Sequence, residues 1–246
     1  MRVIKIGGNE LDSQSFLDGL ATTIANLNEP VIVVHGGGQA IAELQSKLGL
    51  TTTKVDGLRV TDADSLRVAE MVLSGHANKL LVRALQAAGV NAIGLSGVDA
   101  GLLQCEKKQH PTADLGYVGT IVRVNGALLH NLVAQGLTPV ISPISVGADH
   151  HAYNVNADEA ATAVAAALPA DLLDFVSNVP GVLQADQLIP QLTPAATQTL
   201  IDDGVIHGGM IPKVGAALSA LEAGVAQVRI VNLAGLANGA GTRFTA

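Results

Sequence analysis

Short apolar runs that end in glycine clusters constrain the fold of this chain more than any other sequence feature. Val31–His35 is such a run, and Gly36–Gly38 follows it directly. Val3–Ile6 ends in the same way at Gly7–Gly8, and amphipathic helical patterns lie between the runs. Alternation of buried strands with helices is typical of an α/β protein with a largely parallel sheet. We therefore predict that fold class, with both glycine clusters at the points where strands end.

Three local patterns refine this prediction. Thr61 and Asp64 fit a capping box for a helix that is interrupted at Ser74–Gly75. The alternating segment 102–124 contains proline and glycine and favours a β-hairpin inserted over the core layer. The second half of the strand and helix pattern starts near Pro169, where we expect the boundary between two units.

The composition excludes several classes of protein. The 246 residues are 48% hydrophobic and 14% charged, whereas an average soluble domain is about 25% charged, so disorder and coiled coil are excluded. No apolar stretch approaches the ~20 residues that span a bilayer. The N-terminal residues show no long apolar segment and no small-residue cleavage site of a secretory signal. We expect a compact cytoplasmic protein without a membrane partner.

The charge and the aromatic content indicate small-molecule partners. The net charge is -7, and aromatic residues make up 2% of the chain, with no Trp. Nucleic-acid binding depends on basic patches and aromatic platforms, so we expect no nucleic-acid partner. The single Cys105 excludes an internal disulfide and a cysteine metal cluster. His150–His151 has no evident third ligand and is interpreted as a solvated loop, so no metal ligand is assigned.

Two lysines stand near glycine clusters. Lys5 lies inside the first strand, just before Gly7–Gly8, and a lysine in a buried parallel strand is costly unless it meets an anion. Lys213 follows Gly208–Gly209 near the start of a predicted helix, where a cation opposes the helix dipole unless a counter-anion is present. Glycine turns and helix N-termini expose N–H groups to phosphates, so we predict an anion site. A surface position is the alternative for Lys213.

A cluster of amides and a carboxylate is the third candidate. Asn154, Asn156 and Asp158 lie close together, and ordinary helix capping is the alternative, since Asn and Asp are preferred N-caps. The functional interpretation is that Asp158 holds the two lysines while the amides bind a ligand. Arg59 is a candidate bidentate clamp for a carboxylate. The chain contains neither G-x-x-x-x-G-K-[ST] nor G-x-G-x-x-G, which argues against a P-loop enzyme and a dinucleotide site.

The order of these motifs resembles the amino acid kinase family over nearly the whole chain. The matching segments are Lys5–Gly8, His35–Gly38, Gly57–Thr61, Asn78–Lys79, Asn154–Asp158, Ser177–Gly181, Gly209–Val214 and Gly241–Arg243. The resemblance implies a three-layer α/β/α sandwich with an open, mainly parallel central sheet and two lobes. Residues 1–169 would bind the amino acid and form a dimer, and residues 170–246 would bind ATP. The implied reaction transfers the γ-phosphoryl group of ATP to the side-chain carboxylate of N-acetyl-L-glutamate, in arginine biosynthesis.

The resemblance also assigns catalytic roles. Lys5 and Lys213 would compensate the charge on the transferred phosphoryl group, and Asp158 would orient both lysines. The N–H groups of Gly8 and Gly37 would contact the phosphoryl oxygens. A carboxylate acceptor is ionised at neutral pH, so no general base is required, and catalysis must come from positioning and charge compensation.

Two substrate sites follow from the same resemblance. The implied amino-acid site comprises Gly37, Gly38, Arg59, Asn154 and Asn156. The implied nucleotide site comprises Gly7, Ser177, Asn178, Val179, Gly181, Val182, Leu183, Val205, Ile206, His207 and Gly209. Arg59 would grip the α-carboxylate of the amino acid. Mg²⁺ would arrive with ATP and bridge its phosphates instead of occupying a protein cage.

The identity of the acceptor is open between two alternatives. Ser177–Gly181 and Asn91–Gly97 also resemble kinases that act on aminoadipate or glutamate linked to an acidic carrier protein. Asn154–Asp158 favours the free acetylated amino acid. Segment 104–117 favours it too, because it holds only Lys107–Lys108 where carrier-dependent enzymes have a more basic strip. A non-catalytic nucleotide or amino-acid binding module is a further alternative, and the two lysines at the glycine clusters argue against it.

The oligomeric state is predicted from the start of the chain. Arginine-inhibited hexameric members of the family have an additional N-terminal helix, whereas this chain begins almost directly at its first strand. We therefore expect an arginine-insensitive homodimer whose other partners are ATP and the amino-acid substrate.

Overall fold

The computed structural model describes residues 1–8 and 10–245. The strands are β1 (Arg2–Ile6), β2 (Val31–His35), β3 (Lys54–Val55), β4 (Leu58–Arg59), β5 (Ala92–Ser96), β6 (Leu103–Lys107), β7 (Gly119–Val124), β8 (Thr138–Ser142), β9 (Ile144–Gly147), β10 (Ala152–Asn154), β11 (Leu172–Val176), β12 (Leu183–Gln184), β13 (Gln187–Leu188), β14 (Gln191–Leu192), β15 (Val228–Val231) and β16 (Thr242–Phe244). The helices are α1 (Gln14–Ala25), α2 (Gly38–Lys47), α3 (Ala63–Glu70), α4 (Asn78–Ala87), α5 (Gly126–Ala134), α6 (Ala157–Ala167), α7 (Pro194–Asp202), α8 (Met210–Glu222) and α9 (Leu233–Asn238), with a π-helical segment at Met71–Ala77 and a 3₁₀ turn at Asp99–Gly101.

A central sheet of eight strands carries the fold, in the order β14-β16-β15-β11-β1-β2-β8-β5. Every neighbouring pair is parallel except β15 and β16. The prediction of an open, mainly parallel sheet is therefore confirmed. β1 pairs on one side with β2 and on the other with β11, so the sheet is continuous between residues 1–169 and 170–246. The separate roles of these two units stay a prediction.

The alternation of side chains along the strands divides the core between the two faces of the sheet. Val3 and Val34 pack in the core formed with α6 and α8. Ile4 and Val33 pack in the core formed with α1 and α4. Helices therefore cover both faces, which confirms the three-layer sandwich and explains why β2 is buried along its length. Within the described residues, no helix is long and apolar enough to cross a membrane.

Residues 63–87 form one helical run, which corrects the predicted interruption at Ser74–Gly75. Both residues lie in the π-helical segment between α3 and α4, where the helix widens to accommodate them without ending. The predicted capping box at Thr61 is also wrong. The N-cap is Asp62, whose Oδ1 accepts from the Ser65 N–H at 2.8 Å, while the Thr61 hydroxyl is buried and donates to the Arg59 carbonyl.

A second sheet of four strands has the order β10-β9-β6-β7. β6 and β7 are antiparallel, which confirms the predicted hairpin insertion. β9 and β10 extend this hairpin, and their connecting turn carries the exposed His150–His151. Cys105 is buried in β6, and burial raises the pKa of its thiol to about 12. The second sheet matters for function because β10 leads directly into Asn154–Asp158.

A buried ion pair links β11 and β15. Asp174 and Arg229 are 0% and 1% exposed, and Arg229 Nε donates to Asp174 Oδ1 at 2.6 Å. Arg2 of β1 approaches the same carboxylate at 3.6 Å. A charge removed from water is costly unless it is paired, so Arg229 compensates Asp174 inside the sheet. The pair was not anticipated, because both residues lie in otherwise apolar runs.

Candidate functional site

The candidate site lies at the carboxyl edge of the central sheet. Because β11, β1 and β2 are parallel, the segments that follow them meet at this edge: Ser177–Asn178, Gly7–Gly8 and Gly36–Gly38. The strand order changes direction at β1, because β2 lies on one side of it and β11 lies on the other. Ligands of open α/β sheets bind at such switch points. The topology therefore brings three predicted segments together.

Two adjoining cavities occupy this edge. The smaller cavity, of about 260 Å³, is lined in part by Gly36–Gly38, Arg59 and Asn154–Asp158. The larger cavity, of about 570 Å³, is lined in part by Gly7–Gly8, Ser177–Asn178 and Lys213. Both cavities are lined by Lys5, Gly8 and Asp158. These shared residues mark the place where a group could pass between a ligand in one cavity and a ligand in the other.

Lys5 reaches the junction of the cavities because of its register in β1. Alternation along the strand directs Lys5, like Val3, to the face covered by α6. Its Nζ pairs with Asp158 Oδ1 at 2.8 Å. Asp158 lies in the first turn of α6, where a carboxylate is favoured by the helix dipole. The two side chains are 16% and 37% exposed, so the pair faces the cavities and keeps contact with solvent.

Lys213 enters the larger cavity from the first turn of α8. Its Nζ donates to the Gly209 carbonyl at 3.4 Å. Lys5 lines the same cavity, so both predicted lysines border one space. A direct contact of Lys213 with Asp158 stays a prediction.

Helix N-termini add to the positive field of the site. α2 begins after Gly37 and α6 after Asn156, and both residues line the smaller cavity. α8 carries Lys213 into the larger cavity from its own first turn. The exposed N–H groups at such termini favour anions. The site is therefore suited to anions although the net charge of the chain is -7.

The two glycine clusters approach each other closely. A Cβ atom on Gly8 would lie 2.5 Å from both the Cα and the N of Gly37, and 2.9 Å from the N of Gly38. Such contacts with backbone atoms cannot be relieved by a side-chain rotation. Glycine is thus required at Gly8 by the close approach of another chain segment, and the approach keeps Gly8 and Gly37 beside the same cavity.

Arg59 is held at the smaller cavity by neighbours that the sequence did not reveal. Nη1 donates to Gln45 Oε1 at 2.7 Å and to Thr52 Oγ1 at 3.1 Å, and Nη2 donates to the Gly38 carbonyl at 2.9 Å. Gln45 is fully buried on α2, and its Nε2 donates to Ser65 Oγ at 2.8 Å. Burial lowers the pKa of the Arg59 guanidinium. Gln45 lies four positions after Ile41 and directly after Leu44, so it falls on the apolar face of the predicted helix. A polar residue on that face was the available sequence clue.

The two amides of the Asn154–Asp158 cluster have different environments. Asn154 Nδ2 donates to Thr61 Oγ1 at 3.3 Å, and Asn154 lines the smaller cavity. Asn156 is the N-cap of α6, and its Oδ1 accepts from the Asp158 N–H at 2.7 Å. The capping alternative thus holds for Asn156, which lines the smaller cavity as well.

The predicted nucleotide residues divide into two groups. Gly7, Ser177 and Asn178 line the larger cavity. Val182 and Ile206 are 1% exposed and belong to the hydrophobic core, so only their backbone atoms could face a nucleotide. The remaining predicted residues lie outside the set that lines this cavity and stay predictions: Val179, Gly181, Leu183, Val205, His207 and Gly209.

Glu10 is a cavity residue that the sequence analysis missed. It lines the larger cavity, and its Oε2 is buried without a hydrogen-bond partner among the described residues. Among those residues, no group of three or more His, Cys, Asp or Glu could hold a metal ion. A carboxylate with a free oxygen is, however, a ligand that Mg²⁺ prefers.

A sequence model described as the amino acid kinase family matches residues 1–232. The chain belongs to the amino acid kinase family. The family resemblance stated from the motifs is thereby confirmed.

Individual relatives extend over nearly the whole chain. An acetylglutamate kinase from Chloroflexus aurantiacus is 53% identical over 244 residues, which are 99% of this chain and 96% of that protein. Among solved structures, the protein smu.665 from Streptococcus mutans UA159 has a TM-score of 0.83 and 32% identity, covering 99% of this chain and 98% of that chain. Giardia carbamate kinase, with a TM-score of 0.73 and 14% identity, covers 99% of this chain and 98% of that chain and shows the same fold.

We expect Gly8→Ala to lower kcat of this amino acid kinase by about 10²-fold or more, because the added Cβ displaces the Gly37 backbone and both N–H donors with it. A coupled assay of ADP release measures the loss. Gly215→Ala on α8 is the matched control, since no described residue outside its chain neighbours and its own helical backbone lies within 4 Å of the position that its added Cβ would take. Thermal unfolding should show both variants folded. Wild-type turnover in the Gly8 variant would contradict the role of this close approach.

Proposed function

We propose that this protein is an acetylglutamate kinase. It transfers the γ-phosphoryl group of ATP to the side-chain carboxylate of N-acetyl-L-glutamate and forms N-acetyl-L-glutamyl 5-phosphate in arginine biosynthesis. The observation that carries the proposal is the pair of cavities that meet at Lys5 and Asp158. The acetylglutamate kinase of C. aurantiacus, at 53% identity over 99% of this chain, supports the choice of acceptor.

The reaction requires positioning and charge compensation, since the acceptor carboxylate is already ionised. One of its oxygens forms a bond to the γ-phosphorus while the bond from that phosphorus to the bridging oxygen of ADP breaks, and ADP leaves with the electron pair. Lys5 and Lys213 line the cavity where charge spreads over the transferred group. The N–H groups of Gly8 and Gly37 provide fixed donors for its oxygens. Holding the two anions in line supplies the rest of the rate enhancement.

The smaller cavity supports recognition of the amino acid. Arg59 faces it with a guanidinium whose position Gln45 fixes from the buried side. A planar guanidinium binds a carboxylate in two parallel hydrogen bonds, so Arg59 binds the α-carboxylate. Asn154 lies on the same cavity and can bond to the acetamido group.

Two ion pairs favour the free amino acid over a carrier-linked acceptor. Lys107 Nζ lies 2.8 Å from Asp114 Oδ1, and Lys108 Nζ lies 3.0 Å from Glu159 Oε2. Both lysines of segment 104–117 are thus already paired with carboxylates of this chain. An acidic carrier protein would have to compete with those partners for the only lysines in the segment.

We assign ATP, with Mg²⁺, to the larger cavity because Gly7, Ser177, Asn178 and Lys213 line it. When bound with ATP, Mg²⁺ would neutralise charge on the phosphates. The carboxylates of Glu10 and Asp158 line this cavity. The Oε2 of Glu10, which has no hydrogen-bond partner in the described part of the chain, suits a hard cation. Glu10 and the ATP phosphates would hold the ion, while Asp158 remains engaged with Lys5.

We also propose that the enzyme acts in the cytoplasm as a homodimer. β5 is an edge strand of the central sheet, and an edge strand offers N–H and C=O groups to a second chain. Met71 of the adjoining π-helical segment is 61% exposed. Analytical ultracentrifugation measures the assembly state.

The acceptor specificity tests the proposed function. Purified protein with ATP and Mg²⁺ should phosphorylate free N-acetyl-L-glutamate, and hydroxylamine should trap the acyl phosphate as a hydroxamate. Carrier-linked aminoadipate or glutamate should give none. Turnover with carrier-linked substrates alone would move the protein to the other kinases of this fold. Nucleotide binding without turnover of any acceptor would favour a non-catalytic module.

Lys213→Ala should lower kcat by about 10² to 10³, because one preorganised cation beside the transferred group is lost. Steady-state kinetics with N-acetyl-L-glutamate measure the effect. Lys47→Ala, at an exposed position on α2, is the matched control and should keep wild-type turnover. Equal turnover of the two variants would remove Lys213 from the mechanism.

Gln45→Leu should raise the KM for N-acetyl-L-glutamate by about tenfold, because Arg59 loses the acceptor that orients it. The KM for ATP should stay near its wild-type value, since Gln45 does not line the larger cavity. Gln45→Glu retains an oxygen acceptor for Arg59 and serves as the comparison. An equal rise in both KM values would indicate a general structural defect.

A further inference from the structure

His35 is a buried histidine beside the site for which the reaction has no evident use. It ends β2, is 0% exposed, and precedes Gly36–Gly38. Burial lowers the pKa of His35 to about 4, and the nearby charge of Lys79 also lowers it. The imidazole is therefore neutral at physiological pH, with one nitrogen as donor and the other as acceptor.

Asn78 determines which nitrogen of His35 carries the hydrogen. Asn78 Nδ2 donates to the Val140 carbonyl at 2.8 Å, and Asn78 Oδ1 accepts from Lys79 Nζ at 2.9 Å. These two bonds fix the orientation of the amide. Its nitrogen therefore faces two further acceptors, His35 Nε2 at 3.2 Å and the Leu95 carbonyl at 3.3 Å. An amide NH2 group cannot accept from Nε2, and the Gly36 carbonyl beside Nδ1 cannot donate, so the hydrogen of His35 is on Nδ1.

The Nδ1–H group of His35 donates to the Gly36 carbonyl at 3.0 Å. That carbonyl shares a planar trans peptide with the N–H of Gly37, and the two groups of such a peptide point in opposite directions. Residues 31, 33 and 35 of β2 alternate onto the face covered by α1 and α4. With its carbonyl held towards that face, the peptide directs the Gly37 N–H towards the opposite face, where Lys5 pairs with Asp158.

A peptide between two glycines needs such a restraint. Gly36 and Gly37 have no Cβ atoms, so rotation of the plane between them meets little steric resistance. A rotated peptide would present its carbonyl oxygen, instead of the N–H, to the cavity. The backbone of Gly8 packs close to the Cα and the N of Gly37, whereas the His35 bond sets the direction of the Gly36 carbonyl and with it the plane of the peptide.

We propose that His35, held in one tautomer by Asn78, is a positioning residue that orients the Gly36–Gly37 peptide so that the Gly37 N–H points at the transferred phosphoryl group. The inference rests on the proposed kinase function. His35 touches neither substrate and moves no proton. His35 holds the Gly37 N–H in place before substrate binds, as the donors of an oxyanion hole are held. Such donors stabilise the transition state more than they stabilise bound substrates.

The matched variants are His35→Asn and His35→Leu. The Nδ2 of Asn lies as many bonds from Cα as the Nδ1 of His, so Asn can keep the donor, whereas Leu fills a branched volume without one. We expect His35→Leu to lower kcat by about 10²-fold with both KM values within about threefold of wild type. His35→Asn should recover most of this loss. Loss in both variants alike, or a change in KM alone, would overturn the proposal.

Binding of a transition-state mimic provides a second readout. MgADP with aluminium fluoride and N-acetyl-L-glutamate imitates the transferred group, and isothermal titration calorimetry suits a chain without Trp. His35→Leu should weaken this complex by about the factor lost in kcat and leave the affinity for MgADP alone unchanged. Equal weakening of both complexes would show that His35 only supports the fold.

The tautomer can be measured in the wild-type protein, and one folded variant is enough to assign it. Long-range ¹H–¹⁵N NMR should show one histidine protonated at Nδ1 that does not titrate between about pH 5.5 and 8.5. The absence of its signals in His35→Asn, or in His35→Leu, assigns it to His35. A hydrogen on Nε2 would overturn the proposal. A wild-type protein that fails to phosphorylate N-acetyl-L-glutamate would instead refute the proposed function, which the tautomer does not test.

Discussion

The ion pair between Lys5 and Asp158 is the interaction on which the rest of the site depends. It joins the centre of the sheet to the N-terminus of α6 at 2.8 Å and borders both cavities. A lysine in the central strand of a parallel sheet is stable only because a carboxylate meets it and solvent still reaches the pair. The cation placed there provides positive charge at the junction of the two cavities.

Backbone geometry provides the neutral donors beside these charges. The missing Cβ of Gly8 lets two loops that follow neighbouring strands approach until a methyl group would lie 2.5 Å from Gly37. Helix N-termini at the same edge orient further N–H groups towards the cavities. Because strands and helices hold these donors before substrate arrives, little reorganisation is required during phosphoryl transfer.

Buried polar side chains connect the scaffold to the groups that face substrate. Gln45 bonds to Ser65 within the protein and to Arg59 at the cavity. Asn78 bonds to Val140 within the protein and to His35 beside the glycine loop. Ser65 and Asn78 both belong to the helical run over residues 63–87, so one element supports Arg59 at the smaller cavity and His35 beside the glycine loop.

The sequence by itself determined the fold class, the glycine loops and the cationic candidates, because strand periodicity, Gly-Gly turns and a lysine within a strand are local properties of the chain. Only the tertiary structure decided the continuous helical run at Ser74–Gly75 and the partners of Gln45 and His35. Gln45 and Ser65 are 20 positions apart, and His35 and Asn78 are 43 positions apart. A hydrogen bond between such residues exists only once the layers have packed, and no local pattern encodes that distance.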